Sequence, residues 1–298
     1  MANTSTLTAE QVQQFQNDGF LIVRDVISDE AVKPLIHDLE ELVENLTSAA
    51  LDQGILDQDH TYTDSPFAQR LAQLGSACSE PNWIWKEYRK IGKLKTPGVF
   101  HLRRHPDLLD IIESLIGPEI LAHPQYAVRA KLPDHIHTEV PWHQDMGYLA
   151  DDDASNTLIV NCWIPLVPAT AQNGCLQVLC GSNHCGNIPH EKLTDDPDTQ
   201  APVGIRDENL PEGEVITCEV DVGDVLLTME RVVHRSLTNK TDGVRWSIDS
   251  RYCGLGLPTG RNEVPGFVAR SDQDPQRITQ SHEEWIRLFT DSEIDLAR

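Results

Sequence analysis

The chain has little that would take it to a membrane or to a nucleic acid. No run approaches the roughly 18 apolar residues of a membrane span. Met1–Thr6 lacks the basic and apolar regions of a secretory leader, which favours a cytosolic protein. Basic residues number only 24 against 47 acidic ones, for a net charge of −23, and such a surface repels phosphate backbones. Nucleic-acid binding is therefore not expected. Seven cysteines are an odd number with no small-domain spacing, which suits free thiols in a reducing compartment. Cys175, Cys180 and Cys185 fall five apart near Cys162 and His184, wider than the two-to-four-residue gaps of structural zinc sites, so buried thiols are the better reading. There is no internal repeat and no low-complexity block. Aromatics are 6% of the chain, so Trp83, Trp85, Tyr126, Trp142 and Tyr148 stand out as pocket candidates, with ordinary core packing as the alternative for each.

What is present reads as helices followed by strands. Thr8 to Gln11 has the form of a capping box, opening a helix with Val12 and Phe15 inward and ending at Asp18-Gly19. Phe20–Val23 is strand-like. Ser28 can cap a longer helix whose Val32, Leu35, Ile36, Leu39, Leu42, Val43 and Leu46 keep the 3.6 period. The stretch 51–99 is expected to be irregular. It carries Lys86, Arg89, Lys90, Lys93 and Lys95, interrupted by Glu87, which read either as a solvated face or as a positive rim for an anionic substrate. Pro106 opens another helix that Gly117-Pro118 closes.

From Tyr126 the pattern becomes short strands: 126–131, 141–145, 157–166, 175–180, 215–220, 225–229 and 244–252. Short strands split by Gly, Pro, Asn and Asp predict a sandwich or jelly roll with helices packed on one outer face. The expected class is mainly β with flanking helices. The expected layout is a single domain over 1–298: mostly helical support in 1–125, a barrel core in 126–253, a lid loop in 181–213 and a C-terminal extension in 254–298 with a short helix around Trp285 and Leu288.

The chemistry centres on Pro141-Trp142-His143-Gln144-Asp145 and on His234. Side chains two apart on a strand share a face, so His143 and Asp145 can grip one cation while Gln144 points away. A second imidazole, His234, completes the two-His-one-carboxylate arrangement that leaves positions open on a non-haem Fe(II). His-x-Asp alone is weak in a chain with 12 His, and His137-Thr138-Glu139 is another example, which, with His135, is assigned to the rim of the mouth. After His234, a turn at Asn239–Gly243 returns the chain to Arg245, whose guanidinium can bind a carboxylate bidentately. Trp163 and Gln177 lie on strands and face either pocket or core.

Taken together, Leu7–Gln11 with Asp18-Gly19-Phe20, Trp142–Asp145, Asn173–Leu176 leading to Gly181–His184, and His234-Arg235-Ser236 with Arg245 resemble the phytanoyl-CoA dioxygenase family of Fe(II)/2-oxoglutarate oxygenases. The resemblance implies a double-stranded β-helix, a cupin-like barrel. It implies His143, Asp145 and His234 as catalytic iron ligands and Arg245 at the distal carboxylate of 2-oxoglutarate. Ser236, Trp163 and Lys131 match further positions of the cosubstrate pocket. O₂ and a small-molecule substrate complete the implied reaction, which decarboxylates 2-oxoglutarate to succinate. A carboxylate at Asp145, where some relatives carry a small residue and take halide, favours hydroxylation over halogenation. Two alternatives stay open: a metal-binding but oxygen-inactive barrel serving as a binding module, and a zinc hydrolase, in which Arg245 has no obvious task. The substrate and the oligomeric state are not legible.

Overall fold

In the computed structural model, which describes residues 6–91, 93–149, 156–261 and 264–290, the chain opens as its capping box dictates. Thr8 Oγ1 accepts from Gln11 N–H and the Gln11 side chain accepts from Thr8 N–H, so α1 (Ala9–Asp18) starts with two donors satisfied. Gly19, at φ +79°, ends it, and β1 (Phe20–Val23) follows. The long α2 (Asp29–Asp52) buries Val32, Leu35, Leu39, Val43 and Leu46, each such side chain stabilising by about 1.5–3 kcal/mol. Residues 1–5, read above for a leader, and 291–298, the end of the C-terminal extension, lie outside the described residues.

The stretch expected to be irregular is helical. It contains α3 (Phe67–Ala77), α4 (Trp83–Lys90) and α5 (Pro97–Arg103), with α6 (Pro106–Ile116) after them. These helices are short, and two carry no recognisable start signal: Pro66 precedes α3 and a left-handed Asn82, at φ 61°, precedes α4, neither with a side-chain cap. Tertiary packing holds them, through buried Leu71, Leu74, Trp83, Ile84 and Trp85.

The strands are β2 (Ile120–Lys131), β3 (Val160–Pro165), β4 (Leu176–Leu179), β5 (Glu191–Lys192), β6 (Val203–Gly204), β7 (Val215–Cys218), β8 (Val225–Met229), β9 (His234–Ser236), β10 (Arg245–Gly254) and β11 (Phe267–Arg270); α7 (His282–Thr290) comes last. Six of them form a sheet in the order β1-β8-β3-β10-β2-β11, three form β7-β4-β9, and β5 pairs with β6, every pair antiparallel. The architecture is thus mixed, with helices against antiparallel sheets. Among the described residues no hydrogen-bonded ladder closes the two main sheets into the expected barrel. No described helix is long and apolar enough to cross a membrane.

Alternation along the strands separates two cores. Val225 and Leu227, Cys162 and Ile164, and Trp246 and Ile248 face the helices, while Leu226 and Trp163 face the small sheet and meet Leu176, Val178 and Cys218 there. Beside that inner core, β2 and β10 turn polar residues inward. Arg245 lies opposite Lys131, and Ser247 opposite Arg129, with Asp249 and Arg251 continuing the same face of β10. β10 is buried on both faces over Arg245–Cys253, so its alternate charged side chains are held inside the molecule.

Candidate active site

Backbone pairing brings the two histidines together. His143 N–H donates to His234 O at 3.0 Å and His234 N–H donates to His143 O at 2.9 Å, an antiparallel bridge outside the named ladders. The rings then lie with centroids 4.1 Å apart. Each Nδ1 meets the carbonyl two residues before it, Pro141 O at 2.9 Å for His143 and Val232 O at 3.1 Å for His234. A carbonyl only accepts, so Nδ1 carries the proton and Nε2 keeps a free lone pair.

The expected strand over 141–145 is reduced to this single bridge. Gln144 is extended, but Asp145 opens a 3-10 turn to Tyr148. The turn still sets the carboxylate beside the imidazole, with Asp145 Oδ1 3.7 Å from His143 Nε2. One ligand atom from each of His143, Asp145 and His234 lies within 4.8 Å of the others, and all three residues are buried. Gln144 points away, as expected, and is fully occupied: its amide donates to Gly186 O and Arg231 O and accepts from Ile188 N–H.

The electrostatics suit a divalent cation. Burial, reinforced by the neighbouring His234, pulls His143 down to about 3, so it is a neutral ligand. Burial alone would raise Asp145, but the Arg251 guanidinium and the imidazoles outweigh it and hold the carboxyl well below the usual range. Arg251 donates Nη2 to Asp145 Oδ1 at 2.7 Å and Nε to Oδ2 at 3.0 Å. Its Nη1 reaches Asp249 at 3.2 Å, and Asp249 in turn takes Arg129 Nε at 2.8 Å. This buried run of alternating charge was not anticipated. The sequence signal was there in the period-two polar set Arg245, Ser247, Asp249 and Arg251 on a strand otherwise apolar at Trp246, Ile248 and Tyr252.

One rung away lies a second, cationic pocket. Lys131 Nζ donates to Ser236 Oγ at 2.8 Å and to Thr138 O at 3.0 Å. Arg245 donates to Ser247 Oγ at 2.5 Å, its guanidinium carbon stands 5.0 Å from the centre of the Trp163 ring, and its buried Nε has no partner among the described residues. Burial pulls Lys131 down to about 7, with the Arg245 charge adding to it, and pulls Arg245 down to about 9. Neither cation has a carboxylate within ion-pair distance among the described residues. Two buried cations without an acid are costly unless an anion joins them. Trp163 answers both of its readings, belonging to the inter-sheet core and flooring this pocket. Gly174 is required beside it: at φ +90°, a Cβ there would lie 2.5 Å from Lys131 Cε and 2.6 Å from Leu237 O.

Other candidates fall outside. His137 faces Asp196 at 3.3 Å and His135 meets Asn82, and neither lines the cavity around His143. Gln177 joins Arg235 and Thr217 away from the pocket. The cysteines are free and ligate nothing together among the described residues. In the basic cluster Lys86, Arg89 and Lys90 are exposed, as the solvated-face reading expects, and part of that face is also paired. Lys86 and Arg89 reach Asp198 at 3.5 and 3.8 Å, Arg89 also donates to Pro197 O, and Trp85 Nε1 donates to Asp198 O at 2.8 Å, so α4 holds down the 181–213 segment.

Comparison with known proteins agrees with this geometry. The profile described as phytanoyl-CoA dioxygenase (PhyH) matches residues 15–247. A probable phytanoyl-CoA dioxygenase of Caenorhabditis elegans is 24% identical over 260 residues, covering 85% of this chain and 77% of that protein. The peroxisomal phytanoyl-CoA dioxygenase of Homo sapiens is 24% identical over 259 residues, covering 84% and 69%. Among solved structures, the apo form of the non-heme monooxygenase ThoJ matches with a TM-score of 0.60 at 16% identity, over 95% of this chain and 96% of that one. EctD from S. alaskensis with bound Fe matches with a TM-score of 0.52 at 18% identity, over 86% and 80%. The structural likenesses speak for the fold, and the profile spans Lys131, His143, Asp145, Trp163, His234, Ser236 and Arg245, ending before Asp249 and Arg251. On that match the chain belongs to the phytanoyl-CoA dioxygenase (PhyH) family of Fe(II)/2-oxoglutarate-dependent oxygenases.

Proposed function

We propose that His143, Asp145 and His234 hold Fe(II), and that Arg245, with Lys131, Ser236 and the face of Trp163, holds the far carboxylate of 2-oxoglutarate. The substrate is a small molecule taken up beside the metal position and hydroxylated or otherwise oxidised. In this reading the two main sheets are the walls of a double-stranded β-helix within one domain, and residues 181–213 are its lid. The observation that carries it is the adjacency of two unlike sites. One is an acceptor-only set of two imidazoles and a carboxylate, and the other is a pair of buried cations lacking an acid.

Iron and 2-oxoglutarate, with O₂, supply the oxidising chemistry when bound, with succinate and CO₂ as coproducts. The chain supplies position and charge. Pro141 O and Val232 O fix the tautomer and direction of the two imidazoles. Arg251 keeps the Asp145 carboxylate ionised and fixed in its plane. Arg245 and Lys131 orient a dicarboxylate by its far end, so that its other end points along the pocket toward His143. Trp163 and Leu176 line that pocket and exclude water, which strengthens each of these interactions. A zinc hydrolase would leave Arg245 and Lys131 with no anion to bind.

Anaerobic addition of Fe(II) and 2-oxoglutarate to the metal-free protein tests this directly. A visible charge-transfer band of a chelated 2-oxo acid is expected, lost in His143→Ala and weakened in Arg245→Ala. Metal binding without a band would return the protein to the binding module or the hydrolase.

A further inference from the structure

Beyond the cosubstrate pocket a second space of about 370 Å³ opens against His143 and Asp145, within the usual size of small-molecule sites. Gln125 and Arg129 of β2 form one wall, Tyr148 another, and Gln200–Val203 of the 181–213 segment the third. Tyr148 Oη donates to Val203 O at 2.8 Å and Gln200 N–H donates to His137 O at 2.8 Å, which ties that third wall in place. We propose that this chamber receives a small organic acid and that Arg129 binds its carboxylate, an inference that rests on the metal and cosubstrate reading above.

The charge balance points this way. In a chain with 47 acidic and 24 basic residues, the chamber is lined by three arginines, Arg129, Arg251 and Arg261, and among the described residues by one carboxylate, Asp145. Arg251 is committed to Asp145 and Asp249, and Arg261 donates to Tyr148 O at 2.6 Å. Arg129 is different. Its Nε donates to Asp249 Oδ1, while its two Nη atoms have no partner among the described residues, and a third of the side chain, 33%, is exposed where the cavities meet. Asp249 therefore orients the guanidinium without using its outer edge. That edge can take both oxygens of a carboxylate, which a lysine at the same place could not match.

The rest of the lining describes the remainder of the molecule. Val140, Ala201, Pro202, Val203 and the Tyr148 ring offer apolar contact. Gln125 adds one polar group, its buried Oε1 unpartnered. An acid held at Arg129 would lay its carbon skeleton along that apolar wall, close to the His143 and Asp145 side of the metal position.

The test uses the full chain, loaded without oxygen with Fe(II) and 2-oxoglutarate, and the probes butanoate, hexanoate and octanoate beside their primary amides. Binding is read by saturation-transfer NMR and by the change in the visible band. At least one acid is expected to bind more tightly than its amide. Arg129→Gln should weaken that acid about tenfold or more and abolish the preference, with the 2-oxoglutarate band intact as evidence of a folded, loaded protein. Arg129→Lys should keep part of it. Equal binding of acids and amides, binding of neither, or an acid preference surviving in Arg129→Gln would overturn the proposal. So would loss of 2-oxoglutarate affinity in that variant, which would assign Arg129 to the cosubstrate. No band in the wild-type protein would instead remove the metal–cosubstrate reading, and this inference with it.

Discussion

The Arg251 guanidinium meets the Asp145 carboxylate edge to edge, Nη2 to Oδ1 at 2.7 Å and Nε to Oδ2 at 3.0 Å, with both residues buried. Both carboxylate oxygens are therefore engaged by one guanidinium, and the plane of the group cannot turn freely. A fork of this kind favours presentation of one oxygen to a cation over chelation by two.

Removing the fork should separate metal binding from folding in a graded way. Arg251→Met leaves Asp145 and Asp249 buried without their shared cation, and a cost of about 3–5 kcal/mol in unfolding free energy is expected. Fe(II) or Co(II) affinity should fall about 10- to 100-fold. Arg251→Lys should recover most of the stability and less of the affinity, because an ammonium cannot hold both oxygens. Denaturant unfolding and metal titration of the two variants check this; unchanged affinity in Arg251→Met would show that Asp145 needs no positioning.

Arg245 should behave in the opposite sense. Among the described residues its Nε is buried without a partner and no carboxylate pairs with it, so the folded protein carries a charge for a ligand to compensate. Arg245→Met is expected to leave the metal-free protein at least as stable as wild type, with a gain of about 1 kcal/mol, while 2-oxoglutarate affinity falls about 100-fold. A clear loss of stability in the metal-free variant would mean that Arg245 is mainly structural.

Lys131 makes the site sensitive to pH. Burial brings it from its ordinary 10.5 to about 7. Between those values the unfolded chain holds more protons at this position than the folded one. Stability contributed here therefore rises with pH across that window, and the penalty is full below about 7. Affinity for 2-oxoglutarate should run the other way, weakening as pH climbs above neutral and the ammonium is lost. Titrations across that range with wild type and Lys131→Met would settle it, the variant being weaker but flat; a matching slope in both would assign the pH dependence elsewhere.

What was legible in the sequence and what was not follow from the range of the forces involved. The capping box of α1 and the stripe of α2 are local or periodic, and both are as read. His143 and Asp145 were linked by their spacing of two, but the addition of His234 was readable only through motif order, since no local pattern reaches so far along the chain. Helices α3 and α4 were missed because they lack capping signals and depend on partners such as Trp246 against Phe67. β2 begins at Ile120 instead of 126 and runs through Pro124, a residue with no N–H to give to a ladder, so nothing local marks its first half as strand. Arg251 and Asp249 were invisible as site residues because their meaning lies in the register of β10 against β2 and in the turn that carries Asp145. Lys86 and Arg89 of α4 also find partners that local sequence does not reveal, the backbone and carboxylate of a segment about a hundred residues later.

The reciprocal hydrogen bonds between His143 and His234 have a consequence for the order of assembly. Closing the long intervening loop is an entropic cost met by sheet pairing during folding, with no contribution needed from an ion. Backbone pairing alone therefore sets the two imidazoles side by side. Chelation should act as a late, reversible event on an already folded chain, in contrast to small metal domains that unfold when stripped. Removal of iron by a chelator is expected to leave the far-ultraviolet circular dichroism unchanged, and a collapse of that signal would mean that the ion, and not the strand pairing, holds the two halves of the site together.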